Sequence, residues 1–462
     1  ALLKKVRGAG VPLGEYVLVE GEVDTRGEVL AYLPQELQHG EMDFSAYLDS
    51  IGAVFNYRLF YELLDELGLD EEFYLSKRSL ASLSGGEKVK WQLLGLLMKN
   101  PTVLLLDEPS NDLDLHSLAW LEDFLLKQDI SVLFISHDEL LLERCAEELI
   151  HLELRHRRSE PVHTISGLGY AEYAQRRQAL IETHNQQAKK QRAEEKKRQE
   201  RYQKLFERVD HEQRVISRAD PQGAANLKKK MHSVKAMGKR FEREREEMKK
   251  FIFIDDEIFV RFDQAIDFPQ RKVALEFHLE ELSIEDKKLS EDISLKIVGP
   301  EKIVIIGDNG SGKTTLLKKI YEHLKHSGVP CSYMPQNYQD LFAPGETAIS
   351  FLSVTGTKDE ITKIRTWLGS LGYTSEEMTS LVTELSGGQK AKLYFAKMQL
   401  EGVPFLLLDE PTRNFSPLSG PVIRESLKEF GGVILAISHD RKFIDEVADE
   451  VYELRKDGLF LV

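Results

Sequence analysis

Ile303-Val304-Ile305-Ile306-Gly307-Asp308-Asn309-Gly310-Ser311-Gly312-Lys313-Thr314 runs four apolar β-formers into G-x-x-x-x-G-K-T, and the order is strand, loop, then helix. Such a loop closes backbone N–H groups around phosphate oxygens, and the helix N-terminus adds its positive dipole end. Gly307, Asn309, Gly310, Gly312 and Thr315 are expected to form this cradle. Lys313 is expected to reach the β- and γ-phosphates of a nucleotide and the Thr314 hydroxyl to ligate Mg2+. Further on, Phe405-Leu406-Leu407-Leu408 reads as a buried strand ending in two carboxylates, Asp409 and Glu410. Asp409 suits a Mg2+ site reached through water, and Glu410 a general base for the attacking water. His439, in a strand-end Ser438-His439-Asp440, is placed to meet the γ-phosphate and that water.

The same motifs occur earlier at a fixed offset. Ser84-Gly85-Gly86 and Ser386-Gly387-Gly388, Asp107-Glu108 and Asp409-Glu410, His137 and His439 all lie 302 positions apart, while Gln35 and Gln336 lie 301 apart. A spacing held to within one residue by four motifs marks a duplicated nucleotide-hydrolysing domain. Each Ser-Gly-Gly opens a helical stretch, offering a hydroxyl, backbone N–H groups and a helix N-terminus to an anion. Asp107 is the metal-site equivalent of Asp409, and Glu108 and His137 are the catalytic equivalents of Glu410 and His439.

With 462 residues, 42% apolar and 30% charged, the chain is expected to be a soluble globular protein of two or three domains. No apolar run approaches the ~20 residues of a membrane helix. Cys145 and Cys331 stand far apart without metal-ligand spacing, as expected of incidental thiols in a reducing cytoplasm, and no metal beyond Mg2+ is expected. The net charge is −15, yet residues 171–250 hold 23 Lys and Arg against 13 Asp and Glu. Between Arg214 and Arg240 eight bases accompany one acid, Asp220. A basic insert in an acidic protein suggests a polyanion touched by that insert alone.

Apolar runs at Thr102–Leu106 and Ser131–Ile135 alternate with helical patterns, the α/β signature of a parallel sheet. Residues 171–212 lack proline and glycine and read as one exposed helix of about 60 Å. Asp220-Pro221-Gln222-Gly223 is expected to turn the chain, and a second polar helix over about Ala224–Lys250 to return it. The expected organisation is a first nucleotide-binding domain over 1–168, a helical hairpin over 169–252 and a second nucleotide-binding domain over 253–462.

Taken together, these motifs resemble those of the ATP-binding cassette (ABC) superfamily. Ser84-Gly85-Gly86 and Ser386-Gly387-Gly388 look like its signature motif, Gln35 and Gln336 like its Q-loops, and Asn111-Asp112-Leu113-Asp114 like its D-loop. The resemblance implies ATP and Mg2+, with Gln336 a further metal contact, and ATP clamped between one domain's P-loop and the other's signature serine. Ala1–Val6 aligns with Thr315–Ile320, so the first copy's P-loop and first strand are expected to be missing from a truncated sequence. One composite site can then be assembled: residues 307–314, Gln336, Asp409, Glu410 and His439, facing Ser84, Gly85 and Gly86. The other, built on Asp107, Glu108 and His137 facing Ser386, is expected not to bind ATP tightly. The segment Leu282–Lys287 supplies no aromatic to stack on adenine, and Thr412-Arg413-Asn414-Phe415-Ser416 departs from the first copy's D-loop.

Over its length the chain resembles the F subfamily of that superfamily: two cassettes, no membrane domain, and a hairpin entered through Gly167–Tyr173. The resemblance implies that the hairpin enters the exit site of the bacterial ribosome and approaches its peptidyl-transferase centre and tRNA. Arg214, Arg218, Lys228, Lys229, Lys230, Lys235, Lys239 and Arg240 are the expected contacts to large-subunit rRNA. Thr412–Ser419 and the tip Ile216–Pro221 look like the group that protects ribosomes from lincosamides, streptogramins A and pleuromutilins. A housekeeping translation factor and a tandem transporter ATPase are the alternatives. The transporter subunit would not need a basic hairpin.

Overall fold

The computed structural model describes residues 25, 27–35, 40–155, 160–215, 221–246, 266, 268–284, 287–338, 342–343 and 345–462. Two compact units emerge: Ala1–Ala146 with Asp256–Val462, which carries both cassettes, and Glu147–Asp255.

The first copy comprises β1 (Leu30–Leu33), α1 (Phe44–Ile51), α2 (Tyr57–Leu67), α3 (Glu71–Ser76), α4 (Gly85–Leu97), β2 (Val103–Asp107), α5 (Leu115–Lys127), β3 (Ser131–Ile135) and α6 (Glu139–Cys145). Local chemistry sets many of the ends. Asp43, Asn56 and Asp114 accept backbone N–H groups at the starts of α1, α2 and α5, and left-handed Gly52 and Gly68 stop α1 and α2. The strands pair in parallel in the order β1-β2-β3. Trp91, Phe44 and Phe60 fill the helical side of this copy's core, each no more than 2% exposed.

The second unit holds an antiparallel pair, β4 (Leu149–Arg155) and β5 (Glu160–Ser166), and two long helices, α7 (Tyr170–Val215) and α8 (Pro221–Glu246). The expected boundary at 168 assigns the β4–β5 pair to the first domain, whereas its contacts group it with the long helices. Forty-six residues make α7 roughly 70 Å long at 1.5 Å per residue. Pro221 heads α8 instead of sitting within a turn: its fixed φ and missing N–H suit the first helical position. Val209, Met231 and Val234 form a small core between the helices with Tyr202 and Phe206. Arg198–Glu244 at 2.6 Å and Lys230–Glu212 at 3.2 Å tie them across. The tip at 216–220, with Arg218, lies outside the described residues, as do the expected starts at 1 and 253.

The second copy begins with a β-hairpin, β6 (Val273–Ile284) and β7 (Lys287–Val298), followed by β8 (Lys302–Ile306), α9 (Lys313–His326) and β9 (Cys331–Met334). A helical segment of α10 (Ala348–Leu352), α11 (Lys358–Ser370) and α12 (Gly387–Glu401) precedes β10 (Phe405–Asp409), α13 (Gly420–Lys428), β11 (Val433–Ile437), α14 (Arg441–Val447), β12 (Glu450–Arg455) and β13 (Gly458–Leu461). Its six-stranded sheet has the order β13-β12-β8-β11-β10-β9, parallel except for β13. Both β10 and β11 are buried along their whole length, as central parallel strands covered on both faces must be. By contrast β3, the first-copy counterpart of β11, alternates exposed and half-buried. Among the described residues its sheet partner is β2 alone, whereas β11 is flanked by β10 and β8.

Candidate functional site

Strand ends gather the site. The loop 307–312 leaves β8, Asp409 closes β10, His439 follows β11 and Gln336 follows β9, all at the carboxyl edge of one parallel sheet. Gly307 and Gly312 have φ of 144° and 100°. A Cβ at Gly312 would also press on Leu289 and Leu282 at 2.9 and 3.0 Å, so the loop needs glycine there on both counts. Lys313 is buried and donates to the carbonyls of Gly307 and Asp308 at 2.7 and 2.9 Å. Burial holds its ammonium below the usual lysine range, against the pull of Glu410.

Asp409 is 1% exposed, and its Oδ2 has no hydrogen-bond partner among the described residues. Burial raises its carboxyl, while hydrogen bonding with the Thr314 side chain works the other way. A buried, unsatisfied carboxylate oxygen beside a threonine hydroxyl is an oxygen-donor set that suits Mg2+. Glu410 has φ of 51°, a strained conformation for a residue with a side chain. Its own N–H donates to the Ile437 carbonyl at 2.9 Å, and its carboxylate accepts from the His439 N–H at 3.3 Å. Burial, reinforced by Asp409, pushes Glu410 up to about 8. Burial and Lys313 push His439 down to about 4, which keeps its imidazole neutral near pH 7.

The first copy repeats this geometry. Glu108 has φ of 52°, accepts from the His137 N–H at 3.1 Å, and is pushed up to about 7 by burial. Asp107, an expected metal ligand, accepts from the Tyr32 hydroxyl at 2.9 Å. Its counterpart tyrosine in the second copy, Tyr333, leaves its buried hydroxyl without a partner among the described residues.

A cavity of about 370 Å3 joins the copies. From the second copy Asn309, Gly310, Gly312, Lys313, Thr314, Thr315, Gln336, Asp409, Glu410 and His439 line it. The first copy contributes Ser110–Leu113 and His137–Glu139. Ile284 stands on the wall, an apolar side chain in the segment that supplies no aromatic. The Asn309 side chain donates to the Asp112 carbonyl at 2.5 Å, and Arg413 pairs with the Asp112 carboxylate at 2.8 Å. The departure at Arg413 thus puts a cation against the opposite D-loop.

Gly307, Ser84, Gly85 and Gly86 do not line the cavity, although a Cβ at Gly85 would stand 3.3 Å from the Asn309 amide. Both signature serines cap their helices in capping boxes, Ser84 with Glu87 on α4 and Ser386 with Gln389 on α12. Gly387 and Gly388 sit against Asn414 of their own copy, and Gln35 is exposed beyond β1.

The sequence profile of the family described as ABC transporter matches twice, at residues 14–111 and 290–413. ABC transporter F family member 2 of Arabidopsis thaliana is 31% identical over 427 residues, covering 89% of this chain and 57% of that protein. Both cassettes thus carry ABC transporter domains, and relatives named for the F family resemble the chain along most of its length. Another relative, the ribosome protection protein VmlR of Bacillus subtilis, is 28% identical over 85% of this chain and 72% of its own. The solved RNase-L Inhibitor structure shares the fold, with a TM-score of 0.53 at 18% identity over 94% of this chain and 74% of that one. The chain spans 56–58% of the length of the first curated relatives it matches. Among the described residues no helix is long and apolar enough to cross a membrane.

The interdomain partners Glu122, Glu139, Arg424 and Arg441 belong to no local motif. Their signal in the sequence is a set of charge-reversed pairs at the 302-residue offset, visible only when the two copies are aligned.

Proposed function

We propose that this chain hydrolyses ATP at the cavity between its cassettes and uses that cycle to engage the bacterial ribosome from the cytoplasm. The cavity carries the enzymatic half of this reading. Gly310, Gly312 and Lys313 would bind the phosphates, with Asn309 and Thr315 beside them. Thr314, Asp409 and Gln336 would hold Mg2+, which supplies neutralisation of charge on the β- and γ-phosphates. Glu410 would accept a proton as the water oxygen bonds to the γ-phosphorus and the bond to the β-phosphate oxygen breaks. Neutral His439 can donate one ring N–H and accept at the other nitrogen. Glu108 and His137, with Asp107, would play the same parts in the first copy, opposite Ser386, Gly387 and Gly388. Gln35 would be that copy's Q-loop.

The ribosomal half rests on α8. Lys228, Lys235 and Lys239 are exposed and follow one another at seven and four residues, so they share a stripe on that helix. Lys229 is exposed too, while Lys230, Arg240 and Arg214 are exposed but ion-paired to Glu212, Glu244 and Asp210. A cationic stripe of this kind binds phosphate-rich RNA with little sequence readout. Large-subunit rRNA and tRNA near the exit site and peptidyl-transferase centre are the partners it would meet. Protection against lincosamides, streptogramins A and pleuromutilins is the role supported by the Thr412–Ser419 stretch and by the relative named a ribosome protection protein.

Co-sedimentation of the Glu410→Gln variant with bacterial ribosomes, with and without ATP, tests this reading. Pelleting that requires ATP supports it. Equal supernatant fractions in both conditions reject it in favour of a transporter ATPase. Drug-resistance assays in a sensitive bacterium then separate protection from a housekeeping translational role.

A further inference from the structure

Three position pairs at the 302-residue offset carry opposite charges in the two copies: Glu122 and Arg424, Glu139 and Arg441, Arg144 and Glu446. In the structure all six meet. Across the copies, Arg424 forks onto both oxygens of Glu139 at 2.7 and 3.2 Å, and Arg441 donates to Glu122. Within each copy, Arg144 donates to Glu122 at 2.7 Å, and Arg424 Nε donates to Glu446 at 2.8 Å. Lys442 adds contacts to Glu139 at 3.1 Å and to Glu143. The side chains of Arg424, Glu122 and Glu139 are 3%, 4% and 9% exposed, so little water screens them.

The arrangement is a pseudo-two-fold contact. Position 122 of copy one meets the counterpart of 139 in copy two, and position 139 meets the counterpart of 122. Glu122, Arg424, Arg441 and Lys442 do not line the cavity. We propose that this seam is a recognition code by which each cassette face accepts the other and rejects a second copy of itself. A first-copy face on another first-copy face would bring glutamate against glutamate, and two second-copy faces would bring arginine against arginine. Like charges forced together in a desolvated contact are strongly disfavoured, which is how specific interfaces exclude wrong partners. Within its own cassette Arg144 offsets Glu122 and Glu446 offsets Arg424, which leaves the first-copy face net acidic and the second-copy face net basic. The test of this code is independent of ATP turnover.

The test uses the full chain, nucleotide-free, in a Cys145→Ser/Cys331→Ser background with spin labels at Leu126→Cys and Leu400→Cys. Electron–electron resonance then reads the fraction of molecules with the cassettes together. Arg424→Glu/Arg441→Glu, which makes both faces acidic, is expected to lower the closed-to-open ratio at least tenfold. Exchanging residues between copies at 122/424, 139/441, 140/442 and 144/446 rebuilds the 424–139, 441–122, 144–122 and 424–446 pairs with opposite polarity and is expected to restore the closed fraction. Lys442→Glu, at a side chain 19% exposed, is expected to shift the ratio in the same direction as the acidic variant. Thermal unfolding checks that each variant is folded. An unchanged distance distribution in Lys442→Glu and in the folded acidic variant overturns the proposal. So does a folded exchange variant that stays open.

Discussion

Gly85→Ala sets two physical effects against each other. Gly85 is the first residue of α4, and alanine is a better helix former than glycine by about 1 kcal/mol in a helix interior, so propensity alone favours the substitution. Its Cβ, however, would stand 2.2 Å from the Asp112 carbonyl oxygen, a backbone atom, and 3.3 Å from the Asn309 amide. That same carbonyl accepts the 2.5 Å hydrogen bond from Asn309 in the loop expected to hold phosphate. To reach ordinary contact the D-loop must retreat by roughly 1 Å, and a misplacement of that size in a positioning element costs on the order of 10²-fold in rate. Gly387→Ala is the internal control. Its Cβ would meet the Asn414 side chain, with the amide oxygen nearest at 3.2 Å, and no backbone atom as close. Phosphate release at saturating Mg2+ and ATP is therefore expected to fall on the order of 10²-fold in Gly85→Ala. In Gly387→Ala it is expected to fall only a few-fold, about what turning one side chain costs. Turnover of Gly85→Ala within threefold of the parent, or equal losses in both variants, would refute the reasoning.

Three further outcomes are expected. Glu410→Gln should cut ATP hydrolysis by about 10²–10⁴-fold with little change in nucleotide affinity measured by equilibrium binding; unchanged turnover removes Glu410 as the base. Reversing charge at Lys228, Lys235 and Lys239 should weaken ribosome binding and flatten its dependence on salt by about 0.7–0.9 log units per log unit for each phosphate no longer neutralised; identical salt slopes refute the stripe. Glu360, whose carboxylate accepts from the Val354 N–H, the Thr355 hydroxyl and the Ser353 hydroxyl, is held down at about 2 by those bonds. A depressed folded-state value stabilises the fold above the unfolded carboxyl range near 4.3, and the gain is lost as pH falls through 2. Glu360→Gln should therefore lower Tm at pH 7 and converge on the parent near pH 2. A Tm gap that persists there would point to packing instead of charge.

Much of the fold is legible locally because short-range patterns decide it. Phe405–Asp409 reads as a buried strand since leucines on both faces need cover on both faces, and β10 is buried throughout. The glycines of 307–312 announce a loop because only glycine takes φ of 144° or 100° without strain. Other local features mislead for equally local reasons. Pro221 fits a turn and a helix start alike, and neighbouring residues do not choose between them.

Periodicity and glycine placement, which act within a few residues, and the recurrence of whole motifs 302 positions apart are enough to reveal a duplicated α/β nucleotide-binding domain and a basic helical insert. Tertiary structure decided how the copies meet. Arg424 and Glu139 lie 285 residues apart, Arg441 and Glu122 lie 319 apart, and Asn309 finds Asp112 across 197. No backbone preference reports such pairings. They exist because two sheets, each folded on local rules, bring charged side chains into a dry interface where only opposite signs can be buried together.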